Sequence, residues 1–291
     1  MKPPPFVYHR PDNVDEALDV LAEVASDGKI LAGGQSLVPL MSMRLAAPGH
    51  LVDINGLSEL GGIRIGHDGV QVGATVRHAE LEGDEAAFAV QPLLRQALAY
   101  VAHPTIRNRG TSVGSLAHAD PAGELTAVLA LLGGTVTVRS RAAERTVPAA
   151  EFFLGPLESA VRPDELATSA YFPALPPKTG SAWTEVSRRN GDYAICGVGA
   201  LVTVDDDRRI VTARLGLISV GPTPVVVDVS ESLVGQRANA ATFADAARLV
   251  EDTVDPEGDI HATAEYRRHL AGVLTGRALA NATERALEVT T

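Results

Sequence analysis

Two apolar rhythms run along the chain, one at helical spacing and one of short alternating or unbroken runs, and together they lay out its elements. Asn13 with Glu16 three residues later marks a helix start. Ala17, Leu18, Leu21, Val24 and Ala25 then form one apolar face, and Gly28 is the expected stop. A brief apolar run through Ile30 and Leu31 reads as a strand broken by Gly33 and Gly34. Ser36 next opens a helical pattern through Leu37, Leu40, Met41 and Arg44 that ends before Pro48. Residues 51–54 look like a buried strand. Residues 63–65 and 70–72 flank His67-Asp68-Gly69 as a hairpin. Residues 75–102 are helical in pattern, interrupted near Gly83 and Pro92. Residues 125–132 form an apolar helix stopped by Gly133-Gly134, followed by a hairpin over 135–139 and 145–147. A helix end with a turn is expected at 151–156, an alternating strand at 166–172, and a proline-rich linker at 173–177.

The pattern changes after that linker. Three strand-like runs follow at 182–187, 197–204 and 210–220, the last two joined by an Asp205-Asp206-Asp207 turn. Two helices close the chain at 241–253 and 263–287. The expected organisation is a first domain of residues 1–175 and a smaller α+β domain of residues 180–288.

Composition narrows the function classes. The 291 residues carry 25 Lys plus Arg against 36 Asp plus Glu, a net charge of -11 that argues against a nucleic-acid or anionic-membrane partner. Cys196 is the only cysteine, which excludes an internal disulfide and any cysteine-ligated iron–sulfur cluster or Cys-based zinc site within this chain. No apolar run reaches membrane-spanning length and no leader pattern is present, so the cytoplasm is the expected compartment.

Candidate chemistry sits in two segments. A strand that turns sharply into a helix at Ala32, Gly33, Gly34, Gln35 and Ser36 leaves backbone N–H groups pointing into the turn, where no Cβ bars a phosphate. These residues read equally as a diphosphate cradle or as a tight turn that needs positive φ. The second segment, 106–125, is the densest polar stretch of the chain. Thr111, Ser112, Gly114 and Ser115 again offer amides and small hydroxyls, and Asp120 and Glu124 add carboxylates suited to sugar or ribityl hydroxyls. Plainer readings stand beside these. Asp120-Pro121 can be a helix start with Glu124 as a capping aid, and His118 a packed polar residue. Arg107 and Arg109 can be surface charges or partners of Glu124.

Ala32-Gly33-Gly34-Gln35-Ser36-Leu37 with Pro39-Leu40-Met41, then Arg107-Asn108-Arg109-Gly110-Thr111 and Ser115-Leu116-Ala117-His118-Ala119-Asp120-Pro121, resemble the FAD-binding medium subunit of molybdenum hydroxylases. These are of the carbon monoxide, xanthine and nicotine dehydrogenase type. Arg188-Arg189-Asn190-Gly191-Asp192-Tyr193-Ala194 and residues 216–224 extend the resemblance over essentially the whole chain. It implies an α+β fold: a two-lobed FAD-binding domain of the vanillyl-alcohol-oxidase (PCMH) type, its lobes parting near 55–60. A C-terminal domain of antiparallel sheet and helices follows. It also implies that residues 32–36 and 111–115, Val113 included, hold the FAD diphosphate. His118 and Glu124 would lie toward the ribityl–phosphate side, and the main chain of Leu166 and Ala167 near the flavin ring. Tyr193 would screen one face of the flavin, against the alternative of a core tyrosine. The implied partners are a molybdopterin-binding large subunit and an iron–sulfur small subunit in a heterohexamer-type assembly, with electrons passing through FAD here to an external acceptor.

Two departures stand out. Val113 occupies a position where the family usually has glycine, and a β-branched residue resists positive φ. Thr184 and Glu185 stand where relatives often carry a lysine. These departures leave open a shifted loop, weaker FAD binding or a diverged task. They motivate one alternative to the electron-transfer subunit, a stand-alone flavin oxidase or dehydrogenase; a second alternative is a non-enzymatic binding module that keeps the fold.

Overall fold

The computed structural model describes residues 2–237 and 240–289. Near the start, β1 (Val7–His9) leads into α1 (Val14–Val24), where the Asn13 side chain accepts the Glu16 N–H at 2.9 Å and Val14, Ala17, Leu18 and Leu21 are buried. The helix does not run to Gly28. Ala25 turns out of it at φ 45°, a 3-10 turn follows, and Gly28 instead opens β2 (Gly28–Leu31), where an added Cβ would strike Val24. After α2 (Leu37–Ser42) the chain forms β3 (His50–Asp53), which lies between β1 and β2 and runs parallel to both. The pattern carried α2 further than the structure does. Arg44 adopts φ 60° and the Leu45 N–H returns to Leu40 O, a left-handed stop well before Pro48.

A second, five-stranded sheet follows. β4 (Ile63–Ile65) and β5 (Gly69–Gly73) form the expected hairpin. The span from 75 to 102 then resolves into α3 (His78–Gly83), α4 (Glu85–Val90) and α5 (Pro92–Leu98). Beyond it lie α6 (Pro104–Arg107), α7 (Ser112–His118) and α8 (Glu124–Leu132). The strands β6 (Thr135–Arg139) and β7 (Glu144–Pro148) come next. They are followed by α9 (Ala149–Phe152), the small pair β8 (Phe153–Gly155) and β9 (Glu158–Ser159), and β10 (Leu166–Pro173). The sheet order is β4-β5-β10-β6-β7, antiparallel throughout, so the last strand of this region lies at its centre. Gly133 ends α8 at φ 65°, as the Gly133-Gly134 pair predicts.

The remaining chain makes one antiparallel sheet, β11 (Thr179–Ser187), β12 (Ala194–Val204), β13 (Ile210–Ile218) and β14 (Val225–Asp228), in that order. The helices α10 (Ser230–Leu233), α11 (Ala240–Thr253) and α12 (Ala264–Val289) complete it. An added Cβ at Gly180 would fall on the Ala282 carbonyl, so α12 lies directly against β11. The other face of the sheet meets α8: a Cβ at Gly216 would come 2.9 Å from Leu131 Cβ and 3.0 Å from Ala127 O. Sheet glycines here serve close approach and not turning. Both faces are therefore covered, which explains why β12 reads as an almost unbroken apolar run. Trp183, Ala194 and Ile218 belong to the core of the first region, while the rest of the second sheet packs a core of its own with α11 and α12.

Candidate functional site

The first glycine turn follows β2. Gly34 sits at φ 73°, a conformation that disfavours any side chain, and the Gln35 amide donates from Nε2 to Gly33 O at 2.9 Å to hold the bend. Ser36 precedes α2 without using its hydroxyl as a cap. The second turn is built differently. Thr111 caps α7 by accepting the Gly114 N–H on its hydroxyl at 3.2 Å. The Ser112 N–H is already bonded to Val76 O at 3.1 Å, and the Ser112 hydroxyl is fully buried without a partner. Val113 is buried in the main core. Its φ is not positive, so the expected conflict between a β-branched residue and a left-handed turn does not arise.

These two turns touch. A Cβ placed on Gly33 would stand 2.5 Å from Arg109 O, 2.7 Å from Gly110 Cα and 3.0 Å from Thr111 N, and a Cβ on Gly114 would reach that of Ala32 at 4.0 Å. Backbone meets backbone there, and only glycine at 33 permits it.

A polar brace absent from the sequence reading locks this juncture. Asn55 donates through Nδ2 to Ala32 O at 2.8 Å and Leu31 O at 3.2 Å. Arg77 donates through Nη2 to Asn55 Oδ1 at 2.7 Å and through Nη1 to Arg109 O. One guanidinium thus spans the first turn and the chain leading into the second. Sequence gave a faint signal at most: Arg77-His78 sits between a strand and a helix start, inside a stretch read only for its helical period. Arg107 pairs with Glu82 at 2.7 Å and so is not a partner of Glu124.

Beyond α7, Ala119 turns at φ 53°. Asp120 then closes a turn by accepting the Ala122 N–H at 2.9 Å. Asp120-Pro121 is therefore not a helix start; α8 begins at Glu124, after Gly123. Burial, then the charges of Glu185 and Asp120, push the Glu124 carboxyl up to about 8. Burial likewise pushes Glu185 up to about 7, with Trp183 donating from Nε1 at 3.2 Å. Tyr193 is 70% exposed and not a core residue. Desolvation, then the carboxylates of Asp120 and Glu124, raise its phenol. The segment that carries it rests on the first region: a Cβ on Gly191 would come 2.5 Å from the His103 ring, and Ser219 donates from its amide to Pro121 O at 2.9 Å.

His118 is the last residue of α7 and half-buried. Leu166 and Ala167 begin β10 and are buried, and α7 packs against this strand. Cys196 is buried, its thiol pushed up to about 12 by burial, and it takes no part. Among the described residues there is no cluster of His, Cys, Asp or Glu placed to hold a metal ion, and no helix is long and apolar enough to cross a membrane.

The residues present suit a dinucleotide with a diphosphate. Two small-residue turns meet backbone to backbone at Gly33, Ser36 and Ser115 carry hydroxyls next to them, and carboxylates lie beyond. Comparison with known proteins agrees. Residues 4–175 match the family model for the FAD binding domain in molybdopterin dehydrogenase, and residues 181–282 that for the CO dehydrogenase flavoprotein C-terminal domain. The 6-hydroxypseudooxynicotine dehydrogenase complex subunit alpha of Paenarthrobacter nicotinovorans is 40% identical, covering 98% of this chain and 97% of that protein. Caffeine dehydrogenase subunit beta of a Pseudomonas species is also 40% identical, with the same coverage of both. Among solved structures, quinoline 2-oxidoreductase of Pseudomonas putida superposes with a TM-score of 0.94 at 36% identity, over 99% of this chain and 100% of that one. Sequence, fold and matching chain length together place this protein in the family of FAD-binding medium subunits of the molybdopterin dehydrogenases, with FAD as its cofactor.

Proposed function

We propose that this chain is the electron-transfer flavoprotein subunit of a molybdenum-containing hydroxylase, carrying electrons from a partner's iron–sulfur clusters to an external acceptor. The observation that carries the reading is the backbone contact of Gly33 with Gly110 and Thr111, a cradle with no room for a side chain. Ala32, Gly33, Gly34, Gln35 and Ser36 grip one side of the diphosphate. Thr111, Ser112, Val113, Gly114 and Ser115 shape the other, Ser112 and Val113 by anchoring the turn inward. His118, Asp120 and Glu124 face the ribityl–phosphate side, the main chain of Leu166 and Ala167 borders the flavin, and Tyr193 screens one of its faces. Bound FAD supplies the redox chemistry; these residues bind, orient and shield. The domain bounds we adopt are 1–175, with lobes parting near 55–60, and 180–288.

The partners in this reading are a molybdopterin-binding large subunit and an iron–sulfur small subunit, assembled in the cytoplasm. Division of labour supports it, since a chain with one inert cysteine cannot hold the clusters itself. The stand-alone alternative rested on Val113 and Glu185. Val113 lies in the core with no positive φ, so the first of these grounds falls away. Purification of the tagged chain from its native host is expected to bring two further subunits with molybdenum and iron. A yellow chain that purifies alone and is bleached directly by a small substrate would overturn the reading.

A further inference from the structure

His78 is the one histidine sealed beneath the second turn. It is 3% exposed, and its amide donates to Gly110 O at 2.9 Å. Nε2 lies 3.0 Å from Ser115 Oγ, while Nδ1 is buried with no partner and faces Gly110, where an added Cβ would come within 2.9 Å of it. Burial, then the charge of Arg107, lowers the ring to about 4, so it is neutral at physiological pH.

A neutral imidazole carries one proton, and the surroundings choose its place. A proton on Nδ1 would bury an N–H donor with no acceptor, which costs more than leaving a lone pair there. We therefore assign the proton to Nε2. A hydroxyl that accepts at its oxygen must direct its own hydrogen elsewhere. Ser115 is half-buried and directly follows Gly114, whose added Cβ would meet Ala32 of the first turn at 4.0 Å.

We propose that His78 is a positioning residue for the cofactor's diphosphate: its Nε2–H donates to Ser115 Oγ and so turns the Ser115 hydroxyl hydrogen outward, as a donor to a phosphate oxygen. The proposal rests on the cradle reading above. It adds a second layer that fixes which way one hydroxyl points, in the manner of partners that orient first-contact groups in other cofactor and metal sites.

The test titrates the flavin-stripped full-length chain with FAD and follows flavin fluorescence. Ser115→Ala is expected to raise the FAD Kd about tenfold, the worth of one hydrogen bond to a charged group. His78→Phe should do the same, His78→Gln should restore most of the affinity by supplying an N–H near the Nε2 position, and the double variant His78→Phe/Ser115→Ala should be no weaker than Ser115→Ala alone. Losses that multiply in the double variant, or a Gln variant as weak as Phe, would overturn the relay. Nitrogen-15 shifts of selectively labelled histidine give a readout that needs no variant: His78 should be protonated at Nε2 and bare at Nδ1 from pH 5 to 8, and the opposite tautomer sinks the proposal. If Gly33→Val binds FAD as the wild type does, the cradle itself fails; if Gly33→Val loses FAD while Ser115→Ala does not, only the relay fails.

Discussion

The two turns of the cradle reach one place by opposite means. The first depends on backbone freedom: Gly34 holds a left-handed conformation, and Gly33 admits the neighbouring chain where no Cβ fits. Ordinary helix-start chemistry makes the second, with Thr111 as cap and Val113 driven into the core as its anchor. One side tolerates almost no substitution because there is no space. The other tolerates a β-branched residue because its side chain points inward. The glycines of the first turn and the valine of the second therefore mark two different ways of building a tight turn.

Breaking the first route should have the largest effect. Gly33→Val sets a side chain against the backbone of Arg109 and Gly110, and purified protein is expected to lose essentially all flavin absorbance, a drop in affinity of about a hundredfold or more. Full yellow colour in that variant would remove the distinction between the turns. Val113→Gly attacks the second route through stability instead. Removing a buried isopropyl group and adding a flexible residue to a helix is expected to cost about 2–4 kcal/mol in urea unfolding, while the folded fraction binds FAD as before. Tighter binding in that variant would mean that the valine does intrude on the ligand.

Arg77 joins the two routes, so its loss should show in both readouts at smaller size. Arg77→Met is expected to weaken FAD about tenfold and lower the melting temperature by a few degrees, and Arg77→Lys should not rescue it, because a single ammonium cannot span Asn55 and Arg109 O in fork geometry. Rescue by lysine would reduce the brace to a plain charge effect. The smallest change concerns the carboxylates beyond the second turn. Glu124 titrates at about 8 in the fold, above its ordinary value of 4.5. A raised carboxyl lends stability that is complete below that ordinary value and is lost as pH climbs through 8. In flavin-free protein Glu124→Gln should thus match the wild type at pH 4 and exceed it by about 1–2 kcal/mol at pH 8, after allowance for its partial exposure. A gap that does not grow with pH would count against a strained carboxyl there.

Much of this was legible in the sequence, for identifiable reasons. Hairpins around His67-Asp68-Gly69 and the stop at Gly133 follow from local turn chemistry, and they form where expected. The strand β14 and the short β1 were missed because each is three or four residues long and acquires its identity only by pairing, β1 with β3 and β14 with β13. Gly28 was misread as a stop because a glycine's need for space looks the same in sequence as its need for positive φ. At the site, small-residue turns announced themselves, whereas Asn55, Arg77 and His78 did not. Their roles are tertiary, since each acts on main chain or on a hydroxyl more than twenty positions away. Nor could spacing tell that Asp120 closes a turn, a choice fixed by Ala119 adopting a left-handed backbone just before it.

The seating of Gly191 on His103, together with the Ser219–Pro121 hydrogen bond, has a consequence for Tyr193. Its ring takes its bearings from the N-terminal half of the molecule although it is encoded in the C-terminal half. Separately expressed halves that each kept their shape would still leave that ring misaligned, and restoring its aim would require them to dock again.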